Sequence, residues 1–445
     1  MSLLAAACSS DPANEESAAD DAPQDEVVED GSEDVDGGEI DTEDTTTTTP
    51  PAPVEEVEDE APPAVVDVGV SEDTIRIGYS LDLSGPFSFH DARVLDGHFA
   101  LFDSVNDSGG IAGRMIEVVG LDNAFDVPTH LDNVAGLITE DSDGVALIGG
   151  LSHPNFDDAT VSVAGGADVL IVGNTTPTET ATGATVVVPL RAPVCAETTA
   201  GVAAMVDMAT ATEDEPAQLA IIASAEPWAT GSADVARQVA EELEIEVLID
   251  AEVAASDDLS ALITELAESD VDMVWVAASP DTLITLGTVF EQFEESPEWL
   301  WSGPDLSFAP AVLESANGAA LGEVFLRVTS NPLVDSPDLS SVRAALAESA
   351  PELTYGDAGP ALFGWEQAEL IVAVLEEAAE SLDFTRANLA AIGESLAPTP
   401  RDVAVYQVDL LANLNVTLTM PGESGLEEVF AANDVPDDVA ALCSS

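Results

Sequence analysis

Short loops that follow apolar, β-branched runs hold the side chains best suited to gripping a small polar molecule. After Val145–Ile148 comes Gly149-Gly150-Leu151-Ser152-His153-Pro154-Asn155. A proline near a helix start leaves free backbone N–H groups that favour an anion, and Ser152 and His153 add a hydroxyl and an imidazole. After Val169–Val172 come Asn174 and Thr176, which are also plain turn formers. Trp228, in "ASAEPWATG" after Leu219–Ile222, offers an apolar wall or a π face for a cation. Asp305, in Ser302-Gly303-Pro304-Asp305 after Leu300–Trp301, is a carboxylate able to form a charge-assisted bond with a cation. It would equally serve as the cap of a helix over Phe308–Ala316.

Catalytic constellations find no counterpart. There is no Gly-x-Ser-x-Gly elbow, no phosphate-binding Gly-Lys-Ser/Thr loop and no Gly-x-Gly-x-x-Gly fingerprint. His90, His98, His130 and His153 have no zinc spacing. The chain has no lysine, so no Schiff-base residue. Neither an enzymatic role nor a metal or cofactor is expected. Asp34-Val35-Asp36-Gly37-Gly38 with Glu43 approaches a calcium loop, but Ser32 and Ile40 spoil the ligand spacing.

The elements that must position these loops alternate from Thr74 onward. Strands are expected at 75–79, 116–121, 145–148, 169–172, 219–222, 247–251, 273–277, 300–301 and 324–328. Helices are expected at 92–108, 128–140, 155–165, 198–209, 232–243, 259–268, 281–294 and 362–380. The strands are apolar throughout, as parallel strands covered on both faces are. Alternation of this kind means doubly wound α/β sheets. The strands are too many for one sheet, so two similar lobes are expected, with a break at "PLRAPVC", Pro189 to Cys195. In such sheets ligands bind beyond the carboxyl ends of the strands, which is where the loops above lie.

Composition narrows the setting. The chain has 445 residues and a formal charge of -78, from 87 acidic residues against nine arginines. Such a surface repels nucleic acid and anionic headgroups. The acids are spread along the whole chain, which suits a salty medium, where screening is strong, better than local cation capture. No run approaches the ~20 apolar residues of a membrane helix. "MSLLAAACSS" has the small-residue run and cysteine of a bacterial lipoprotein cleavage site, read here as a shortened signal over 1–8 with Cys8 as the lipid anchor. Residues 9–70 are acidic, Thr-rich and Pro-rich, and nearly free of aromatic side chains. They read as a disordered acidic linker, a stalk holding the globular part away from a membrane.

One stretch carries a resemblance. Ile75, Ile77 and Tyr79 run into a Ser-Gly-Pro loop; a helix leads to Gly109-Gly110-Ile111-Ala112-Gly113-Arg114 and a second strand; a later strand ends Leu147-Ile148-Gly149-Gly150. In this order and spacing the sequence resembles the type I periplasmic solute-binding proteins of ABC importers, in particular the branched-chain amino acid family. The likeness runs more faintly to about Glu380. It implies two doubly wound parallel-sheet lobes joined by a three-segment hinge, with 71–193 and 330–401 in lobe 1 and 194–329 and 402–445 in lobe 2. It also implies a small zwitterionic solute closed in the cleft and passed to a permease with a separate ATPase. Ser152 would hold the solute's carboxylate and His153 stands where a serine is common. Thr176 aligns with a ligand-touching threonine and Asn174 with a position using its backbone. Trp228 takes the place of a frequent aromatic, and Asp305 that of an acid facing the α-ammonium. Phe89 and His90 fall near an aromatic that covers the ligand; Phe363 and Trp365 start the late helix close to it. With Cys8 given to lipid, Cys195 and Cys443 form an even pair in an exported protein, and a bridge near the hinge is expected. A monomer is expected. The alternatives are a sensing receptor on the same fold, a binder of amides or urea, and a surface adhesion protein without a cleft.

Overall fold

The computed structural model describes residues 64–141, 143–152, 158–164, 166–173, 186–210, 217–254, 256–290, 299–307, 325–330, 339–354, 358–397, 403–408, 418, 426–431 and 434–444. Cys8, the acidic segment, His153, Asn174, Thr176 and the helix expected over 308–316 lie outside them.

The chain begins with β1 (Val65–Val66), then β2 (Thr74–Leu81), α1 (Ser88–Asp107), β3 (Met115–Asp122), α2 (Val127–Leu137), β4 (Leu147–Leu151), α3 (Asp158–Ala164), β5 (Leu170–Gly173) and β6 (Val186–Pro189). It continues through α4 (Val194–Thr210), β7 (Gln218–Ser224), α5 (Pro227–Glu242), β8 (Glu246–Val253), α6 (Ser260–Glu268), β9 (Met273–Ala277), α7 (Pro280–Phe290), β10 (Leu300–Gly303) and β11 (Phe325–Thr329). Then come α8 (Ser340–Ser349), α9 (Ala358–Ser381), β12 (Asp383–Phe384), α10 (Arg386–Leu396), β13 (Ala404–Val408), β14 (Leu426–Ala431) and α11 (Asp437–Ala440).

The strands form a five-stranded sheet in the order β3-β2-β4-β5-β6 and a seven-stranded sheet in the order β14-β13-β11-β10-β9-β7-β8; β1 and β12 pair separately. Every pairing in the first sheet is parallel. The apolar runs sort their side chains by the strand's period of two. In β9, Met273, Trp275 and Ala277 enter one core while Val274 and Val276 enter the other. In β4, Leu147 faces the α9 side and Ile148 the α2 side. Burying each large aliphatic side chain contributes about 1.5–3 kcal/mol, so sheets covered on both faces are strongly held.

This is the two-lobed, hinged α/β architecture expected, with differences of detail. The seven-stranded sheet is not parallel throughout: β13 runs antiparallel to β11, and β14 to β13. A chain re-entering at a sheet's edge can pair with either polarity, and an antiparallel edge on a parallel sheet is common. β6, α8 and α10 were not among the expected elements. The helix expected from 362 starts at 358.

Residues 190–193 lead from β6 of the first sheet to α4, which packs on the second. After β11 the chain returns: α9 and α10 share the core of β2, β4 and β5 through Ile371, Val374, Leu375 and Leu389. The Ala192 N–H donates to Ser330 Oγ at 3.1 Å, tying these two passages together. Cys195, at the start of α4, is disulfide-bonded to Cys443 with Cα atoms 5.7 Å apart, within the span such a bond requires.

Candidate functional site

Topology locates the site before any side chain is considered. In the first sheet the chain moves outward from β2 to β3, then back past β2 to β4. In the second it moves from β7 to β8, then back to β9. The gap beyond the carboxyl ends at such a reversal is the crevice where α/β sheets bind ligands. The residues following β2 and β4 therefore form one wall, and those following β7, β9 and β10 the other.

The wall after β2 and β4 is built around buried polar groups. Asp82 accepts from the Phe87 N–H at 2.8 Å and also from the Gly85 N–H, which curls the Ser-Gly-Pro loop round its carboxylate. A Cβ on Gly85 would lie 2.8 Å from the backbone Ala124 O as well as 2.6 Å from Asp82 Oδ1, so glycine suits this approach. Burial and the neighbouring Asp91 charge raise the pKa of Asp82, against its backbone hydrogen bonds. Asp91 accepts from the Asp82 N–H at 2.8 Å and from His90 Nδ1 at 3.0 Å. Ser152 is fixed through its backbone: its N–H donates to Ser80 O at 3.0 Å, and its carbonyl accepts from Asn123 Nδ2. Ser80 Oγ lies 3.0 Å from His130 Nδ1, and His130 Nε2 lies 3.2 Å from Thr160 Oγ1. Burial lowers the pKa of His130 to about 4, so its ring is neutral.

The opposite wall carries Trp228 on the first turn of α5, half-buried against the core of the seven-stranded sheet. Its ring meets Phe87 edge to face, centroids 6.2 Å apart, so an aromatic from each wall touches across the gap. Phe89 likewise packs against the core that lines the β7–β9–β10 side. The late helix brings Phe363 to the hinge, where it is fully buried; half-buried Trp365 packs instead beside α8 and α1.

Asp305 lies in a short turn (Asp305–Ser307) after β10, buried and already paired. Its Oδ2 is 3.3 Å from Arg191 Nη2 and its Oδ1 is 3.4 Å from Arg327 Nε. Its backbone N–H donates to Glu197 Oε2 at 3.2 Å. Burial first, and the Asp305 charge second, push the Glu197 carboxyl up to about 8, so it is protonated at neutral pH. The expected acid is thus in the crevice but engaged with cations of the protein itself. Arg191, Glu197 and Arg327 were not foreseen. The available signals were an arginine in the Pro-rich break and another inside the apolar strand Phe325–Thr329, in a chain with only nine cations.

Several polar atoms here are buried with no hydrogen-bond partner: His90 Nε2, Ser224 Oγ, Glu226 Oε2, Trp228 Nε1, and Nε and Nη2 of Arg191. Leaving a buried polar group unsatisfied costs about 1–3 kcal/mol. They come from α1, from the end of β7 with the start of α5, and from the first hinge passage, so both walls and the hinge contribute. Among the described residues no group of three or more His, Cys, Asp or Glu could hold a metal.

Two sheets whose carboxyl edges face one another across a hinge, with buried polar atoms left over on both, define a binding protein that closes on a small molecule. Residues 74–403 match the family model "Periplasmic binding protein", and the chain belongs to that family of extracytoplasmic binding proteins, which serve ABC transporters and are not enzymes. No curated protein is matched. Among solved structures it is similar to a fatty acid ABC transporter substrate-binding protein from Thermomonospora curvata, at 19% identity and TM-score 0.68, covering 84% of this chain and 97% of that one. It is similar also to a solute-binding protein from R. palustris in complex with 4-hydroxybenzoate, at 16% identity and TM-score 0.63, covering 82% and 98%. A third is the branched-chain amino acid transporter substrate-binding protein from Streptococcus pneumoniae in complex with isoleucine, at 15% identity and TM-score 0.61, covering 80% and 100%. At these identities the likeness is one of fold.

Proposed function

We propose that this protein captures a small carboxylate-bearing solute between its lobes and delivers it to the permease of an ABC importer driven by a separate ATPase. In the form the sequence resemblance implies, the solute is an amino acid. The protein works as a monomer, held to the outer face of the cytoplasmic membrane by lipid on Cys8, with the acidic segment as spacer. Lobe 1 comprises 71–193 and 330–401, and lobe 2 comprises 194–329 and 402–445.

One observation carries this reading: buried polar atoms of His90 on α1, of Ser224, Glu226 and Trp228 at the end of β7 and start of α5, and of Arg191 at the hinge have no hydrogen-bond partner, and an incoming solute would satisfy them together. Completing contacts from both walls is what makes the closed state depend on ligand. Phe89, His90 and Trp228 enclose the solute beside Ser152 at the end of β4, and the resemblance adds His153, Asn174 and Thr176 as further ligand contacts. Asp305 is shared by two guanidinium groups, so an α-ammonium falls to Glu226, whose Oε2 is buried without a partner just before α5. Further support comes from the similar structures: one is named for fatty acids and two hold 4-hydroxybenzoate and isoleucine, all of which carry a carboxylate.

A thermal-shift panel of amino acids, benzoates, fatty acids, amides and urea tests the reading. A true ligand at 100 times its dissociation constant adds about 2.7 kcal/mol. If no compound of the panel raises the melting temperature, the reading fails.

A further inference from the structure

The resemblance would place the solute's carboxylate on the loop after β4. The hinge also holds a group suited to receive it. Arg191 belongs to the first passage between the sheets, and its side chain is 5% exposed. One face of its guanidinium lies over the Phe363 ring of α9, 4.3 Å from the centroid. Asp305, at the end of β10, lies on another side. The group is therefore held between the two sheets' elements. Yet Nε and Nη2 make no hydrogen bond, because Asp305 Oδ2 approaches Nη2 out of line. These two nitrogens form the side-on edge of the guanidinium, the fork that a carboxylate fills with two parallel bonds.

Charge supports the same conclusion. Arg327 reaches the start of α9, where a Cβ on Gly359 would lie 2.7 Å from its Nη2. Two guanidinium groups thus gather at the amino-terminal, partially positive end of a 24-residue helix. Asp305 supplies one negative charge, and Glu197, raised to about 8, is neutral at pH 7. In a chain of formal charge -78 the overall field does not draw in an anion, so recognition must come from contact, and this buried cationic edge supplies it.

We propose that the Nε/Nη2 edge of Arg191 is the docking point for the solute's carboxylate, making carboxylic acids the ligand class and excluding their amides. The inference rests on the binding-protein reading above and adds to it a named subsite. The test pairs each acid with its amide on the wild-type protein: leucine with leucinamide, benzoate with benzamide, and dodecanoate with dodecanamide, by calorimetry or thermal shift. At least one acid should bind at least 30-fold more tightly than its amide. Arg191→Lys, which keeps the charge but loses the fork, should weaken that acid at least tenfold, and Arg191→Gln further. Equal binding of acid and amide, or unchanged affinity in folded Arg191→Lys, overturns the subsite while leaving the binding protein intact. If another acid of the thermal-shift panel binds in place of these three, the same comparison with its amide decides; if no compound of the whole panel binds, both readings fall. Should a variant fail to fold, the acid–amide pairs on the wild type still decide.

Discussion

The two edges of the crevice differ in how completely they satisfy themselves. After β2 and β4, Ser80, Asn123, His130, Ser152 and Thr160 hydrogen-bond one another in a closed network, Asp82 is wrapped by backbone N–H groups, and Asp91 accepts from the Asp82 N–H and His90 Nδ1, with His90 Nε2 left over. At the hinge and after β7, Arg191, Ser224, Glu226 and Trp228 keep buried donors and acceptors in reserve. A buried polar network that is fully satisfied makes a rigid wall. One left incomplete marks where a further molecule is required. Polarity alone does not distinguish scaffold from site; unfinished hydrogen bonding at the carboxyl end of a sheet adds the missing sign.

The contrast is broken most severely at Asp305. Replacing it with asparagine leaves two buried guanidinium groups facing one another, and stability should fall by about 3–5 kcal/mol, as when one partner of a buried ion pair is removed. Urea unfolding of the ligand-free protein measures it, and a loss under 1 kcal/mol would mean that the cluster does not depend on this carboxylate. Next in size is the bond between Cys195 and Cys443, whose replacement by serine pairs should cost about 2–4 kcal/mol. Unchanged stability under reducing and oxidising conditions would show the bridge to be absent.

The two edges should also respond to pH with opposite sign. His130 is held neutral by a pKa lowered from 6.5 to about 4, so its contribution is present above pH 6.5 and is lost as pH falls toward 4. Glu197 is raised from 4.5 to about 8, so its contribution is present below pH 4.5 and is lost as pH rises through 8. In denaturation midpoints taken across pH, His130→Gln should flatten the acid limb and Glu197→Gln the alkaline limb, by roughly 1–3 kcal/mol for the histidine. Limbs that stay unchanged in both variants would erase the distinction. The smallest effect is expected at Trp228. Trp228→Phe should shift stability by under about 1 kcal/mol, as tolerated apolar swaps do, while removing most of the ligand-induced change in tryptophan fluorescence. A full signal in the variant would put Trp228 outside the site.

The sheets were legible because strands such as Ile75–Tyr79 and Met273–Ala277 are buried on both faces, and burial is written as continuous apolar residues. β6 was passed over although Val186–Val188 is β-branched, because Pro189 drew the segment into the hinge. α8 and α10 are hard to read because short, Ala-rich helices with a narrow apolar stripe carry little periodic signal. The loops after the strands were found by the topological rule, which places Trp228, Asp305 and Ser152 in the crevice without saying whom each touches. Partnership is what the sequence leaves out. Asp305 reads as an acid awaiting a cation until Arg191, 114 positions earlier, and Arg327 are seen on it.

The bond from Cys195 to Cys443 closes 248 positions of chain into a covalent ring. Every strand of the seven-stranded sheet lies inside that ring, as do the helices lent to the other sheet, whereas residues 190–193 lie just outside it. A segment that supplies the outermost two strands of a sheet is ordinarily where it frays first. Here peeling β13 and β14 away frees no end, so the sheet has to loosen as a closed loop or wait for reduction. The first hinge passage is the sole covalent link between the ring and everything that precedes it.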